Sequence, residues 1–339
     1  MVRLKDISVR AGVSIMTVSK ALRGAKDVSA ATRARIMQLA EAMGYVGDTA
    51  ARGLRTNTTK LFGVVISSLT NPVFARVVSA IEENAFENGY EIVLLHSWND
   101  PAREERCLRR LISRRVDGLF ISPAYRMDTE ARIYQTLAAR GTPTLLLGHP
   151  ARFCHGYPFV TTDDLIGSYQ ITQHLLKLGH RRIAFLSGRM TAPWATERFE
   201  GYCRALREAG LETDERLVFN AGSEIEDGAK AATQLLNEHC PATAIQAVND
   251  LVAVGCADTL LQQGWKIPGD ISLVGFGGVE LAEYYRVPLT TMRQPKFRLG
   301  VAAVEMMMKL LRKERCDSRR IPAELVVRQS TAAPVAKAA

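Results

Sequence analysis

From Leu61 onward the chain alternates short, continuous apolar runs with longer amphipathic stretches, and this alternation constrains the fold more than any other feature. The runs Leu61–Ser67, Tyr90–His96, Gly118–Ser122, Thr144–Gly148, Arg182–Ser187, Ala244–Val248 and Ile271–Phe276 read as buried strands. Helical periodicity fills the gaps at Pro72–Asn88, Pro101–Arg114, Leu165–Leu178, Glu197–Ala209, Gly228–His239, Leu251–Gln263 and Phe297–Leu311. Continuous apolar strands separated by helices imply parallel sheets covered on both faces, because each crossover lays a helix over the sheet. About 270 residues of such units exceed one open sheet, so two doubly wound lobes are expected.

Ligands of parallel sheets bind beyond the carboxyl ends of the strands. That rule makes Phe74, Ser122, His149, Asp163, Trp194, Arg198, Asn249 and Asp250 the candidate lining of one cleft between the lobes. Arg198 offers a planar fork for a carboxylate or a pair of hydroxyls. Asn249 and Asp250 can take sugar-type hydroxyls, and Phe74 or Trp194 can stack on a ring face. A plainer role stays open for each polar residue: a helix cap or an inter-lobe hydrogen bond.

Charge separates the first sixty residues from the rest. Residues 1–60 hold eleven Lys and Arg against four Asp and Glu, a net +7 out of +9 for all 339 residues. A basic head on a nearly neutral body points to nucleic acid. Leu4, Ile7 and Ala11 share a helical face, as do Val18 and Leu22, and Ile36, Leu39, Ala40 and Met43 follow the same period. Gly12 marks a tight turn, Ser14 and Ser29 are candidate N-caps, and Gly44 is a C-terminal stop. Two short helices across a tight turn, braced by a third, describe a helix-turn-helix. Its second helix would bring Ser14, Ile15, Met16 and Thr17 to the base edges of the major groove, with Lys20 one turn further on. Ile15 and Met16 suit thymine methyls, and Lys20 suits guanine or phosphate; the plainer alternative packs both apolar residues into the small core.

Several motifs resemble the lactose-repressor (LacI/GalR) family of bacterial transcription regulators. In the head they are Leu4-Lys5-Asp6-Ile7, Ala11-Gly12-Val13-Ser14, Thr17-Val18-Ser19-Lys20-Ala21-Leu22 and Gly44-Tyr45. In the body they are Asn71-Pro72-Val73-Phe74, Arg115-Val116-Asp117-Gly118-Leu119, Gly179-His180-Arg181-Arg182-Ile183-Ala184-Phe185, Asn249-Asp250-Leu251-Val252 and Ile267-Pro268-Gly269-Asp270. The resemblance implies a helix-turn-helix domain at 1–46, a hinge linker with a short hinge helix at 47–60, and an effector-binding and dimerisation domain at 61–339. Within the last it implies a two-lobed, periplasmic-binding-protein-like body. Its first lobe would span about 61–160 and 292–320 and its second about 161–291 and 321–339, with crossings near 161, 291 and 321. It also implies that the hinge helix pairs with that of a dimer mate in the minor groove, Leu54 wedging into the central base step and Arg55 lying against groove or backbone. The segment Thr49–Arg55 is too short and too glycine-interrupted to hold as an isolated helix, which fits folding on binding. Arg198, Asp250 and Phe74 fall at effector-contact positions of the family. Many relatives carry an Asp where this chain has Gly148, and another where it has Gly277-Gly278. Those departures, with Arg198 and His149 nearby, leave room for an acidic sugar beside a neutral one.

The remaining features exclude rather than assign. No run approaches the roughly eighteen apolar residues of a membrane span. Arg3, Lys5, Asp6 and Arg10 interrupt any signal peptide. Six widely spaced cysteines suit reduced thiols, so a cytoplasmic protein is expected, with no zinc site and no cofactor. No Gly-x-Ser-x-Gly elbow, His-Glu-x-x-His pair or phosphate-binding loop occurs, which argues against an enzyme. Gly275-Phe276-Gly277-Gly278 resembles a dinucleotide fingerprint but reads better as a strand-end turn. His180 is expected to cap the helix ending at Gly179, and one of Met306, Met307 and Met308 is a candidate for meeting another subunit. The expected function is a dimeric, effector-controlled transcriptional repressor on a near-palindromic operator. The competing classes are a two-lobed solute-binding protein and a sugar-processing enzyme.

Overall fold

The computed structural model describes residues 2–45 and 58–335. The chain divides into two units, residues 1–59 and 60–339. In the first, α1 (Leu4–Ala11), α2 (Ile15–Leu22) and α3 (Ala30–Ala42) enclose a core of Ile7, Val18 and Ile36, all fully buried. Local chemistry sets the ends. Gly12 at φ 63° closes α1, where a left-handed residue costs glycine least. The hydroxyls of Ser14 and Ser29 accept the amides of Thr17 at 3.0 Å and Thr32 at 3.2 Å, the capping their positions foretell.

The second unit holds two six-stranded sheets. The first contains β1 (Leu61–Ile66), β2 (Glu91–His96), β3 (Gly118–Ile121), β4 (Thr144–Leu147), β5 (Phe159–Thr162) and β11 (Arg319–Ile321), in the order β11-β5-β4-β3-β1-β2 and wholly parallel. The second contains β6 (Ile183–Ser187), β7 (Val218–Asn220), β8 (Ala244–Ala247), β9 (Ser272–Gly277), β10 (Thr290–Arg293) and β12 (Glu324–Val326), in the order β12-β10-β9-β8-β6-β7, with β12 alone antiparallel. The chain therefore passes between the sheets after Thr162, after Arg293 and after Ile321.

Helices cover both faces of each sheet, the arrangement that apolar strands demand. On the first lobe, α4 (Pro72–Glu87) and α12 (Lys296–Leu311) pack over Phe62, Val64 and Phe120, while α5 (Pro101–Ser113) and α6 (Arg132–Ala139) cover Val65, Leu119 and Ile121. On the second, α7 (Asp164–Lys177) and α8 (Pro193–Glu208) cover Phe185 and Val274, and α9 (Ile225–Asn237) and α10 (Asp250–Gln262) cover Ile245 and Leu273. A one-turn helix, α11 (Glu280–Tyr284), follows β9. Met306 and Met307 are buried in the first lobe and Met308 packs half-buried against the same core.

Two expectations need correction. Helix α8 starts at Pro193 rather than Glu197, and α9 at Ile225 rather than Gly228, because Pro193 opens one helix and Asp227 caps the other through the amides of Ser223 and Glu224. His180 does cap α7, through its backbone amide, which donates to the Leu175 carbonyl at 3.2 Å. Its buried ring bonds Thr243 Oγ1 at 2.9 Å, Ser272 Oγ at 3.1 Å and the Ala332 carbonyl at 2.9 Å, tying the second sheet to the C-terminal segment. No helix among the described residues is long and apolar enough to cross a membrane.

Candidate ligand cleft and exposed helix of the head

A cavity of about 400 Å3 opens at the carboxyl ends of the strands, between the two sheets. Phe74, Ser122, His149, Trp194, Arg198, Asn249 and Asp250 line it. Asp163 does not. Its carboxylate accepts the Ile166 amide at 3.2 Å and caps α7, while the next residue, Asp164, faces the cleft. At a strand-to-helix junction a shift of one residue exchanges a cap for a lining group.

Arg198 is engaged within the protein. Its Nε and Nη2 donate to Asp164 Oδ1 at 2.7 and 2.6 Å, and Nη1 donates to the Val248 carbonyl at 2.6 Å. The guanidinium stacks on Phe276 at 3.7 Å, with Trp194 at 4.9 Å. A close helix crossing makes the pairing possible: a Cβ on Gly201 of α8 would stand 2.3 Å from the Leu165 carbonyl of α7, so only glycine lets the two helices approach so nearly. Asp164 then completes its bonding with His149, whose Nε2 donates to Oδ2 at 2.7 Å.

His149 follows β4 in the first lobe, so this contact joins the lobes. Its Nδ1 lies 3.2 Å from Glu197 Oε1, out of line for a hydrogen bond. Glu197 in turn receives both terminal nitrogens of Arg320, on β11, at 2.7 Å each. Burial opposes the charged ring of His149, but Asp164 and Glu197 outweigh it and push its pKa up to about 8. Burial likewise opposes the charge of Glu197, and His149 and Arg320 hold its pKa down to about 2. An alternating chain of charges, Arg320–Glu197–His149–Asp164–Arg198, thus spans the lobes.

Asp250 also spends its oxygens internally, accepting the Thr291 hydroxyl at 2.6 Å and the Val279 amide at 2.9 Å. Burial nevertheless raises its pKa. Gly275 is glycine for this reason, since a Cβ there would stand 2.3 Å from Asp250 Oδ1; the glycines at the end of β9 and just beyond it seat a carboxylate and a tight turn. Asn249 caps α10 through the Val252 amide at 2.8 Å and donates to the Ser223 carbonyl at 2.9 Å. The aromatic walls are less committed: Phe74 and Trp98 from the first lobe, Trp194 from the second. Trp98 follows β2 and Asp164 follows β5, so both are open to the same strand-end rule, whereas Glu197 and Thr291 carry no comparable local signal.

In the head, α2 presents Ile15 and Met16 to solvent at 47% and 60% exposure, outside the core that Val18 and Ala21 fill. Ser14 is exposed and Thr17 half-buried, their hydroxyls 2.9 Å apart. Lys20 pairs with Asp27, both partly exposed, an ion pair of little net strength that a phosphate can displace. Leu54 and Arg55 lie outside the described residues.

Residues 3–48 match the family model for bacterial regulatory proteins of the lacI family, and residues 59–329 match that for periplasmic binding proteins and the sugar binding domain of the LacI family. The chain belongs to the LacI family. It is 32% identical over 338 residues to the HTH-type transcriptional repressor PurR of Photobacterium profundum, covering 97% of this chain and 98% of that protein. Among solved structures, it resembles the Lac repressor dimer bound to operator and the anti-inducer ONPF (TM-score 0.87, 26% identity, 98% and 99% covered). It also resembles the transcriptional regulator CelR in complex with cellobiose (TM-score 0.73, 28% identity, 98% and 100% covered). As a LacI-family member the chain is a DNA-binding transcriptional repressor controlled by a ligand, and it is not an enzyme.

Proposed function

We propose that this repressor binds a near-palindromic operator as a dimer and responds to a sugar-type effector held between the lobes. The domains of the reading are a helix-turn-helix at 1–46, a hinge linker at 47–60 and an effector and dimerisation domain at 61–339. Residues Ser14, Ile15, Met16, Thr17 and Lys20 read the major groove, Leu54 wedges into the minor groove and Arg55 lies beside it. The observation that carries the DNA contact is the exposure of Ile15 and Met16 at the start of a capped helix, where two apolar side chains have no structural employment. Two-fold protein symmetry calls for half-sites about one helical turn apart.

The bonding within the cleft shapes the effector reading. Arg198 already holds Asp164, so a ligand meets a neutralised pair with spare guanidinium protons rather than a free cation. That favours neutral hydroxyls packed against Phe74, Trp98 and Trp194 over a carboxylate seated on the Arg198 fork. The same aromatic walls favour a second reading, a planar nucleobase-type ring. Calorimetry of the full chain against neutral sugars, acidic sugars and nucleobases separates them, and binding of acidic sugars alone would reverse this preference. A gel-shift comparison of the full chain with a chain beginning at Lys60 tests the DNA contact: the full chain alone should bind, and equal binding by both would end this reading. Leu54→Ala should weaken operator binding, whereas unchanged affinity would refute the wedge.

A further inference from the structure

One end of the first lobe carries cations that neither the core nor the cleft uses. The strands of that sheet are parallel, so all begin at the same end, and α4, α5, α6 and α12 finish there. Lys60 stands at this end, its amide bonded to Asp117 Oδ2 at 3.0 Å, directly after the segment that joins the head. Arg110, Arg114, Arg140 and Lys313 are exposed at the last turns or ends of α5, α6 and α12 and have no acidic partner among the described residues. By contrast, Arg312 and Arg315 are matched by Glu314 and Asp317.

A cation at a helix C-terminus complements the helix dipole, and that alone would place one or two here. Two observations go further. The second lobe has the same winding, and although its α7 ends on Lys177 and α8 carries Arg207, α8 ends on Glu208 and α9 is followed by Glu238, whereas in the first lobe only α4 ends on an acid, Glu87. Backbone conformation is the second. Lys60, Arg115 and Lys313 take φ of 56°, 53° and 57°, the left-handed region where glycine costs less. After α4, α6, α7, α8 and α10 that position is glycine, and only His239 after α9 shares the exception. Basic residues are thus kept at strained positions on this one end.

We propose that the strand-entry end of the first lobe is a second DNA-contacting surface, which takes the phosphate backbone flanking the sequence read by the head. The proposal rests on the DNA-binding reading above. Duplex DNA is the occupant because the charge is complementary and because this is the end at which the chain arrives from the head. Such contacts release counterions and add affinity without reading sequence.

The test uses the full chain and an Arg114→Gln/Arg140→Gln/Lys313→Gln variant. Duplexes selected by the wild type from a random library are made in two lengths, the protected bases alone or extended by about one helical turn on each side. The wild type should bind the longer duplex several-fold more tightly at low salt, and the variant should bind both lengths alike. On the longer duplex the slope of log K against log salt should be shallower in the variant by about 0.9 for each phosphate that it no longer neutralises. A charge-keeping Arg114→Lys/Arg140→Lys/Lys313→Arg variant should restore the wild-type slope, which separates charge from any effect on folding. Equal binding of both lengths by the wild type, or an unchanged slope in the Gln variant, overturns the proposal. A wild type that selects no duplex overturns the DNA-binding reading and this one with it.

Discussion

Helix α2 shows apolar side chains to water, while the cleft hides charges from it. Ile15 and Met16 make no core contact that the small head needs, so their exposure costs the fold little and leaves them free for a partner. In the cleft, Arg198, Asp164, His149 and Asp250 are each at most 6% exposed and spend their hydrogen bonds on one another and on their neighbours. The difference separates two kinds of binding residue. Those of the head are spare parts of the fold, and those of the cleft are also its fastenings.

The largest test of that contrast is Arg198→Ala. It leaves Asp164 buried with His149 as its remaining charged partner, and stability should fall by about 3–5 kcal/mol in thermal melts of the whole chain. Arg198→Lys should not rescue it, because an ammonium lacks the fork that reaches both Asp164 and the Val248 carbonyl. An unchanged melt would show that the cleft charges are as dispensable to the fold as the head's exposed residues.

Met16→Ala should behave in the opposite way. Its melt should stay within about 0.5 kcal/mol of wild type, while operator affinity falls by roughly 1–3 kcal/mol in gel-shift titration. A lowered melt with intact binding would move Met16 into the class of fastenings.

The third and smallest effect is a pH dependence. The pKa of His149, about 8, lies above its ordinary 6.5, so its contribution is whole below 6.5 and is lost as pH rises through 8. Glu197, held at about 2 against an ordinary 4.5, contributes fully above 4.5 and weakens as pH falls towards 2. The inter-lobe chain is therefore intact between about pH 4.5 and 6.5, and stability should decline by about 2 kcal/mol towards pH 9. Melts of His149→Asn should lack that alkaline decline. If the variant keeps it, another group carries the pH response.

Much of this architecture is legible in the sequence wherever the signal is local. Ser14, Ser29, Gly12 and Gly44 mark helix ends by their own chemistry, and long apolar runs such as Leu61–Ile66 can only be buried strands. The strands β5, β7, β10, β11 and β12 leave no such trace, because Thr161-Thr162, Asn220, Thr290-Thr291, Arg319-Arg320 and Glu324 leave no continuous apolar run in segments this short. The cleft is legible as a set of positions, since strand ends fix where ligands go. Its bonding is not. That Arg198 is held by Asp164, or that Glu197 couples to Arg320 far along the chain, depends on helices meeting through Gly201 and on the second passage between sheets, which returns the chain to β11. Neither leaves a mark in local spacing.

The placement of the indoles has a practical consequence. Of the three tryptophans in the chain, Trp98 and Trp194 border the cleft from opposite lobes, and Trp265 packs half-buried in the core of the second. The intrinsic emission of the unlabelled protein is therefore weighted towards the cavity, and an occupant that displaces water there writes its arrival into the spectrum. The molecule carries its own dye, set where a screen for unknown metabolites would want one.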